Sequence, residues 1–558
     1  MLKINGQLVT NVSLQGKNVV RILRDDEVLW EKDTIDYFYL ENASQRKAKF
    51  VLTKYGTPAS TDLQYKVDNG AWTDFDLTLD NNNVDVPAGS KIYLRSSSGF
   101  SKSSSSYFRI NLKTSYTNDI MNAGGNIATL FRYKNIDTFN RIPDYGCYQM
   151  LLASNITNAE DIDFSGVSTC GKYSFTNAFA TSHIKYAPDM PSLEIVEEGA
   201  FYNCFQNNKA VVKGIGMGSV KYVYNRGLYG MYDGCSKLTT VSDMDSLERI
   251  TDYGCQYMYQ NCTSLTVAPN MPSLTSISTS GCEQMFYGCT SLVTPCNMSN
   301  VTSISSRALY QMYRGCTALT EPSDLPNLAD IPDSGIRATY NGCTALTRTA
   351  DIGNVTRVGN QGLYFTYYGC TSLTEGCDMR NVTYTGTQAC ASMYQGCSNI
   401  STIYAPSITW LSSSFTDWVN GVAAVGDMYF DVIGGRIPVG TYGIPSGWQL
   451  HQPTEPVEPY VIWFSNMLDG ITYKIDDGEF AALPETDYEV YDTITVDNDG
   501  TTLQTITFHD PTPNKSRVIT YYDDTGYNKE NFNDGDITLC LSNLSLGEAW
   551  PIDLFDMT

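Results

Sequence analysis

One interval in this sequence recurs so regularly that it limits the chain to a small set of folds. A Gly-Cys or Asn-Cys pair returns with a constant 27-residue period, with the cysteine at Cys235, Cys262, Cys289, Cys316, Cys343, Cys370 and Cys397. An aromatic residue stands three positions before each of these cysteines, and leucine or isoleucine stands three positions after it. A single unit of this kind cannot bury its own apolar face, whereas stacked units bury a continuous core. The repeat therefore predicts a solenoid.

The repeat also predicts local structure and extent. Weaker copies precede the regular ones, as at Ala200–Cys204, and we place the solenoid with its C-terminal cap at 137–450, with about ten turns. The stretch Leu265–Met271 is short and marked by threonine and proline, which predicts a short strand. The stretch Ser280–Cys289 predicts one or two helical turns.

Smaller β modules are predicted on both sides of the solenoid. Residues 1–33 carry three turn signals between apolar pairs, which predict a β-hairpin meander. Residues 34–136 alternate polar and apolar positions, with a hairpin at Tyr65–Trp72, and predict a β-sandwich-like domain. A Pro/Glu linker at 451–459 leads to a second, acidic β-sandwich-like domain at 460–558. The predicted fold class is thus mainly β.

The charge is concentrated at one end of the chain. Of the formal net charge of −23, residues 451–558 contribute −17, from 21 acidic and 4 basic side chains. Such acidity excludes a generic nucleic-acid binder, which needs a basic surface, and argues against anionic membranes as partners. No apolar run is long enough to span a bilayer and Met1–Gly6 does not resemble a secretion signal, so we expect no membrane insertion.

The 16 cysteines raise the question of metal or disulfide chemistry. Seven positions before the repeat cysteine, one column holds Cys255, Cys282 and Cys390 in some units and Leu228, Leu309, Ile336 and Leu363 in others. Exchange with leucine indicates an apolar environment, in which free cysteine is common. We therefore predict buried thiols and no metal site, while disulfides between adjacent turns remain possible.

Catalytic chemistry has little support. His183, His451 and His509 lie in three different regions, and no nucleophile elbow is present. We expect no catalytic residues and no cofactor, although a glycosidase-like carboxylate pair stays open as an alternative. Three acidic turns near the C-terminus, at 476–478, 497–500 and 533–536, suit either hairpin turns or Ca²⁺, and none completes an EF-hand loop.

The clearest candidate binding feature is a polar column, defined by the residue eight positions after each repeat cysteine: Asp243, Asn270, Asn297, Asp324, Asp351 and Asp378. These side chains either bond turn backbone between neighbouring repeats or line a face that binds a polar ligand such as a glycan. Nearby Glu321, Arg348 and Glu375 change sign from unit to unit, which is typical of exposed surface. All nine residues are candidates for ligand binding.

Two parts of the chain, the repeats and the N-terminal segment, resemble known proteins. The units Met285–Leu292 (Met-Phe-Tyr-Gly-Cys-Thr-Ser-Leu) and Ala200–Cys204 (Ala-Phe-Tyr-Asn-Cys) resemble BspA-like, or Treponema-type, leucine-rich repeats. That resemblance implies a leucine-rich-repeat β-solenoid that attaches to surfaces, glycans or proteins and does not imply catalysis. The segment 1–33 is similar to the hairpin module that begins many tail and appendage proteins of phages infecting gut Bacteroidales.

Together these resemblances lead us to expect a phage virion protein, a tail fibre or receptor-binding appendage that attaches to the bacterial host. Its partners would be other virion proteins, through the N-terminal modules, and a host surface glycan or protein. By analogy with fibres it would be a homo-oligomer, with a trimer as the guess. The alternative is a bacterial cell-surface adhesin of the same repeat class, and a more distant one is a polysaccharide depolymerase.

Overall fold

The computed structural model describes residues 35–452 with their side chains, except 58–61, 117–118, 409 and 432–436, and outside that range it describes the backbone of the strands. The chain divides into two compact units, Met1–His451 and Gln452–Thr558. The protein is mainly β with a solenoid of about 11 turns, which confirms the predicted fold class. Helix within the described range is confined to Thr129–Arg132, with 3-10 turns at Ile136–Thr138 and Ser412–Ser414. None of these is long and apolar enough to cross a membrane.

The N-terminal segment, as far as Glu31, forms three hairpins at the three predicted turns. The strands pair antiparallel two by two: Lys3–Ile4 with Gln7–Leu8, Val12–Leu14 with Lys17–Val19, and Arg21–Arg24 with Glu27–Glu31. The hairpins are therefore confirmed. The expected meander is wrong, because the three pairs form three separate two-stranded sheets.

The next segment contains two sheets that share one core. The three-stranded sheet consists of Asn81–Val86, Ala48–Tyr55 and Tyr107–Lys113, in that order. The six-stranded sheet consists of Thr73–Asp74, Gln64–Val67, Lys91–Arg95, Tyr39–Asn42, Met121–Asn126 and Asn158–Asp163. The predicted hairpin at Tyr65–Trp72 is present, since Tyr65 pairs with Thr73. Fully buried side chains such as Phe38, Phe50 and Phe108 belong to the core.

The larger sheet continues into the solenoid. Its strand Met121–Asn126 pairs in parallel with Asn158–Asp163, and Asn158 in turn bridges Tyr186 of the next coil. The buried core is continuous across this junction, from Phe38 through the solenoid to Trp448. The N-terminal sheet thus covers the first coil and supplies it with a hydrogen-bonding edge.

Two columns of parallel strands run through the solenoid. The first column consists of two-residue strands: Arg141–Ile142, Thr169–Cys170, Ile195–Val196, Tyr222–Val223, Arg249–Ile250, Ser276–Ile277, Ser303–Ile304, Asp330–Ile331, Arg357–Val358 and Tyr384–Thr385. Ile250 lies opposite Ile277, so the register advances by one 27-residue period per coil. In each strand the second residue is buried, and it is the isoleucine or valine of the sequence repeat in most coils.

The second column starts at Asn158–Asp163 and ends in four longer strands. These are Glu375–Asp378, Thr402–Tyr404, Asp427–Tyr429 and Gln449–His451. Between them the column consists of single bridges, such as Val267 with Thr294. The strand predicted at Leu265–Met271 is therefore reduced to one residue. Pro269 has no N–H to extend the ladder.

The third side of each coil is a turn ribbon, which we define as the segment before each repeat cysteine, such as Ser280–Cys289. The prediction of helical turns here is wrong. Alternate N–H groups bond carbonyls of the neighbouring coil, as from Cys282 to Ala308. The others bond the carbonyl three residues earlier and close four-residue turns, as from Met285 to Cys282. Every fourth residue is left-handed, with φ of 54° at Ser280, 53° at Gln284 and 72° at Gly288. Such residues interrupt a right-handed helix.

A stack of aromatic rings fills the solenoid core. Neighbouring ring centroids lie 4.9 to 6.0 Å apart along Phe179, Phe205, Tyr232, Tyr259, Phe286, Tyr313, Tyr340, Tyr367, Tyr394 and Trp418. The final ring follows after a shortened coil, in which the N–H of Tyr394 bonds the carbonyl of Trp418 directly. That coil lacks the cysteine signature, and so the sequence predicted about ten turns and the structure has about 11.

The repeat cysteines lie beside this stack. The 15 cysteines of the described residues are buried and free, which confirms the buried-thiol prediction for them. All seven repeat thiols donate to a carbonyl of the preceding coil, as Cys289 does to Tyr259 at 3.0 Å. Burial raises the pKa of Cys289 and of Cys296 to about 12. Cys540 lies outside the residues described with side chains.

The C-terminal unit contains two sheets described by their backbone. One consists of Asp492–Val496, Tyr460–Ser465, Ile552–Asp556, Ser516–Asp523 and Gly526–Asn533, and the other of Ala481–Ala482, Thr472–Ile475, Thr505–Asp510 and Gly535–Cys540. The linker residues 453–459 and the acidic turns at 476–478 and 497–500, considered for Ca²⁺, lie outside the described residues. Of the third acidic turn, Asn533, Gly535 and Asp536 are described as strand backbone, without their side chains.

Candidate functional site

The polar column lies on the solenoid between the second strand column and the first. Its members are exposed except for Asp324, which is half-buried. Two of them join neighbouring coils: Asp243 accepts the N–H of Asn270 at 2.8 Å, and Asp324 accepts the N–H of Asp351 at 2.9 Å. These bonds match the structural interpretation of the column, in which carboxylates satisfy turn backbone.

Other members of the column cap their own turn. Asn297 accepts from the N–H of Ser299 at 3.1 Å, and Asp351 accepts from the N–H of Gly353 at 2.9 Å. Both bonds join positions i and i+2 and form Asx turns. The same type of side chain therefore either bridges coils or closes a local turn.

Arg348 brings three of the predicted residues together. Its guanidinium donates to both carboxylate oxygens of Asp324, at 2.8 and 2.9 Å, and pairs with Glu321. Burial alone would raise the pKa of Asp324, but the bonds from Arg348 and from the Asp351 N–H lower it below its ordinary value. The pair is a bidentate fork of the kind that holds a carboxylate in one orientation.

The last member of the column has a comparable partner. Arg380 donates to both oxygens of Asp378, at 3.1 and 2.8 Å, and this contact lowers the pKa of the carboxyl. Glu375 lies at the start of the strand Glu375–Asp378 and hydrogen-bonds Tyr404. The structure thus places the nine residues on one exposed face, with several carboxylates already bonded. Whether that face binds a ligand stays a prediction.

The turn ribbon carries a second surface, which the sequence did not single out. Arg307, Tyr310, Arg337 and Tyr364 come from three successive coils and form an arginine–tyrosine ladder. The guanidinium carbon of Arg307 lies 4.3 Å from the ring centroid of Tyr310, and that of Arg337 lies 5.6 Å from Tyr310 and 4.8 Å from Tyr364. At these distances each guanidinium is attracted to the ring faces.

Polar side chains border the ladder. Glu283 is buried and receives two hydrogen bonds from Arg307, at 3.1 and 2.9 Å. Amides bond from coil to coil beside it, as from Gln284 to Gln311 at 2.7 Å. The hydrogen bonds that Arg307 donates to Glu283 raise the pKa of Arg307, against the opposing effect of burial. The sequence did contain a signal for this surface. Glycine or asparagine recurs at the left-handed positions of the turn ribbon, and these residues favour a turn over a helix.

Aromatic side chains also lie on the turn ribbon of the coils nearer the N-terminus. Tyr202 and Tyr229 stack with ring centroids 4.6 Å apart, and Tyr257 meets Tyr229 edge-on at 5.3 Å. Burial between these neighbours raises the pKa of Tyr229 to about 12. Other tyrosines of the solenoid differ in exposure: Tyr224 and Tyr368 are exposed, and Tyr222, Tyr229, Tyr257 and Tyr364 are half-buried.

Metal and cofactor chemistry has no cluster to support it in the part of the chain that the structure describes. No group of three or more His, Cys, Asp or Glu there is arranged to hold a metal ion. His183 bonds the carbonyl of Ser154 at 3.1 Å, and His451 bonds Asp427 at 2.7 Å. These two histidines lie at opposite ends of the solenoid, so they do not form a joint site.

Comparison with known families identifies the repeat. Residues 131–253 and 229–331 match the family model described as the BspA type leucine rich repeat region, in six copies. This part of the chain is therefore a BspA-type leucine-rich repeat region, which confirms the first resemblance. No curated protein sequence matches the chain.

Several solved structures are similar to the chain. The leucine-rich repeat protein TpLRR of T. pallidum is 22% identical, with 38% of this chain and 76% of that chain covered and a TM-score of 0.23. A leucine-rich repeat protein from Bacteroides ovatus is 15% identical, covering 62% and 95% with a TM-score of 0.26. One from Eubacterium ventriosum is 14% identical, covering 55% and 86% with a TM-score of 0.20.

Proposed function

We propose that this protein is an attachment protein whose solenoid binds a glycan or protein on a bacterial surface. The observation that carries the proposal is the arginine–tyrosine ladder, in which exposed and half-exposed binding groups recur from coil to coil. Tyrosine and arginine give large contact areas and directed hydrogen bonds, and they dominate binding surfaces for that reason. No catalysis is needed for such a role.

The rigidity of the coils supports the same function. Each turn ribbon donates alternate N–H groups to the next coil, and the ring stack beneath it is continuous. Side chains on such a scaffold keep their spacing without a ligand, so little conformational entropy is lost on binding.

Binding of the labelled full-length chain to a panel of bacterial cells tests the proposal. We expect saturable binding to some strains, and prior removal of surface glycans or surface proteins should abolish it and identify which of the two is recognised. Absence of saturable binding to every strain and to extracted surface polysaccharides would contradict an attachment role.

Two kinds of protein with this activity are separate proposals: a bacterial cell-surface adhesin and a phage appendage. The cell-surface adhesin accords with the BspA-type repeats. The tail fibre or other virion appendage depends on the three N-terminal hairpins, whose backbone pairing is present. Mass spectrometry of purified virions and of washed bacterial surfaces distinguishes them, since the protein should be found in one fraction. Chemical cross-linking of the same fractions tests the expected homotrimer.

A further inference from the structure

We propose that the arginine–tyrosine ladder is the binding site for an acidic polysaccharide, a chain of sugars that carry carboxylates. This inference rests on the proposed attachment function and names its ligand and its place. The site lies on the turn ribbon of three successive coils, around Tyr310, Arg337 and Tyr364.

Charge is the first reason for an acidic ligand. The chain has a net charge of −23, yet the ladder presents guanidinium groups. Among the ion pairs of the residues described with side chains, Glu283 pairs with Arg307 and none includes Arg337 or the nearby Arg314. Arg314 lies 5.8 Å from the ring of Tyr287. Arg314 and Arg337 therefore each have an aromatic neighbour and no carboxylate partner among the described residues. This favours a ligand that carries carboxylates.

The geometry of Arg337 is the second reason. Its guanidinium lies between the rings of Tyr310 and Tyr364 and also donates to the amide oxygen of Gln361 at 2.5 Å. These contacts hold the planar group in one orientation while leaving the side chain half-exposed. A guanidinium fixed in this way donates two parallel hydrogen bonds to one carboxylate.

The neighbouring groups suit sugars. Pyranose rings present apolar C–H faces that pack on aromatic side chains, and their hydroxyls both donate to and accept from amides. Gln284 and Gln361 lie half-buried beside the tyrosines, and the amide nitrogen of each carries a second N–H besides the one that bonds the next coil. The surface therefore brings together a guanidinium for the carboxylate, a tyrosine ring for the C–H face and an amide for the hydroxyls of an acidic sugar.

The repeat spacing suits a polymer. Parallel strands lie about 4.8 Å apart, and neighbouring ring centroids of the stack below the ladder lie 5.4 to 5.5 Å apart. Both spacings are close to the length of one sugar residue. A linear polysaccharide lying along the solenoid axis would place successive sugars over successive coils.

The low density of positive charge argues against nucleic acid. Nucleic acids carry one charge per phosphate and require many Lys and Arg contacts, whereas Arg314 and Arg337 supply one guanidinium in each of two neighbouring coils. An acidic peptide would meet the same charges but would lack ring faces to match the tyrosines. Both polymers serve as competing ligands in the test.

The experiment uses the full-length chain and two forms of one polymer, polygalacturonate and its fully methyl-esterified form. Binding is measured by calorimetry or biolayer interferometry for the wild type, Arg337→Gln and Arg357→Gln. The last is a matched control, because Arg357 also stacks on a tyrosine, 4.0 Å from Tyr384, but belongs to the first strand column. Thermal unfolding confirms that both variants are folded.

We expect polygalacturonate to bind and its ester to bind at least about tenfold more weakly, which corresponds to about 1.4 kcal/mol. Arg337→Gln should lose about tenfold in affinity, and Arg357→Gln should remain near the wild type. Binding should also weaken as salt is raised. A double variant, Arg314→Gln with Arg337→Gln, should lose more than either alone.

Three results would overturn the inference: equal binding of the acid and the ester, equal losses in the two single variants, or binding of polyglutamate or single-stranded DNA as tight as that of polygalacturonate. Cell binding separates this failure from failure of the attachment role. If Arg337→Gln leaves the affinity for cells unchanged, the attachment function stands and the ladder is not its binding site.

Discussion

The phenol oxygen of Tyr313 accepts the backbone N–H of Cys296 at 3.1 Å, across 17 residues. The same bond joins Ile215 to Tyr232, Ser323 to Tyr340, Ala350 to Tyr367 and Cys377 to Tyr394. Three rings of the stack are phenylalanine; 17 positions before Phe179 the residue is Ile162, whereas before Phe205 and Phe286 it is Pro188 and Pro269. Proline has no N–H and phenylalanine has no hydroxyl, so donor and acceptor are absent together.

This pairing predicts coupling between two positions of one coil. Phe286→Tyr should lower the free energy of unfolding by about 1 to 3 kcal/mol, because it buries a hydroxyl without a donor. Adding Pro269→Ala supplies the missing N–H and should recover part of the loss. Urea unfolding of both single variants and of the double variant measures the coupling. Strict additivity of the two effects would show that the hydrogen bond does not form.

The buried thiols predict resistance to chemical modification. In the folded protein, a thiol reagent should leave the 15 cysteines of the described residues unmodified, since a buried thiol is neither accessible nor ionised. After unfolding without reductant, titration should approach 16 free thiols per chain. A markedly lower number would indicate disulfides between turns.

The same thiols predict a loss of stability at alkaline pH. Burial raises the pKa of Cys289, Cys296 and Cys377 from 9.0 to about 12. Above pH 9 the unfolded chain releases these protons and the folded chain retains them, so ionisation favours unfolding until about pH 12. Each thiol can remove up to about 1.4 kcal/mol per pH unit in this window. Urea midpoints in reductant, compared at about pH 8 and about pH 10, should fall clearly; equal midpoints would disprove this linkage.

The polar column predicts unequal effects of similar substitutions. Asp324→Ala removes the bonds to Arg348 and to the Asp351 N–H and should cost about 1 to 2 kcal/mol of stability. Asn297→Ala removes one local turn bond and should cost less. Denaturant unfolding gives both values. Parallel cell-binding measurements decide the other role of the column: a loss of binding in both variants would identify it as a ligand site.

Several parts of the fold were predictable because the repeat constrains them. The cysteines and leucines that recur in the repeat identify buried positions, whatever conformation the backbone between them adopts. The turn signals at 1–33 predict hairpins because they fix the local geometry of the chain. The strand and ribbon positions were harder to predict. Ile250 and Ile277 belong to two-residue strands, too short for a period of two to emerge. At Ser280 and Gln284 the left-handed backbone is imposed by bonds to the next coil, which local propensity does not contain.

The candidate sites likewise include one that the sequence predicted and one that it did not. Asp324 and Arg348 were identified because they belong to columns in the sequence, and the structure shows them bonded to each other. The ladder was missed because Arg337 and Tyr364 occupy one position in different coils, where residue type changes from unit to unit. Their proximity depends on the stacking distance between coils and is not visible in any single repeat.

The N-terminal sheet that continues into the coil stack has a consequence for how the gene can change. Met121–Asn126 offers the first coil an edge to pair with in the second strand column, and each coil offers the next a comparable edge in the first strand column, one repeat further along the chain. Recombination between neighbouring repeats can thus insert or delete whole coils while both ends keep their partners. Each event would change the length of the binding surface by about 4.8 Å, allowing its reach to be adjusted in discrete steps without a new fold.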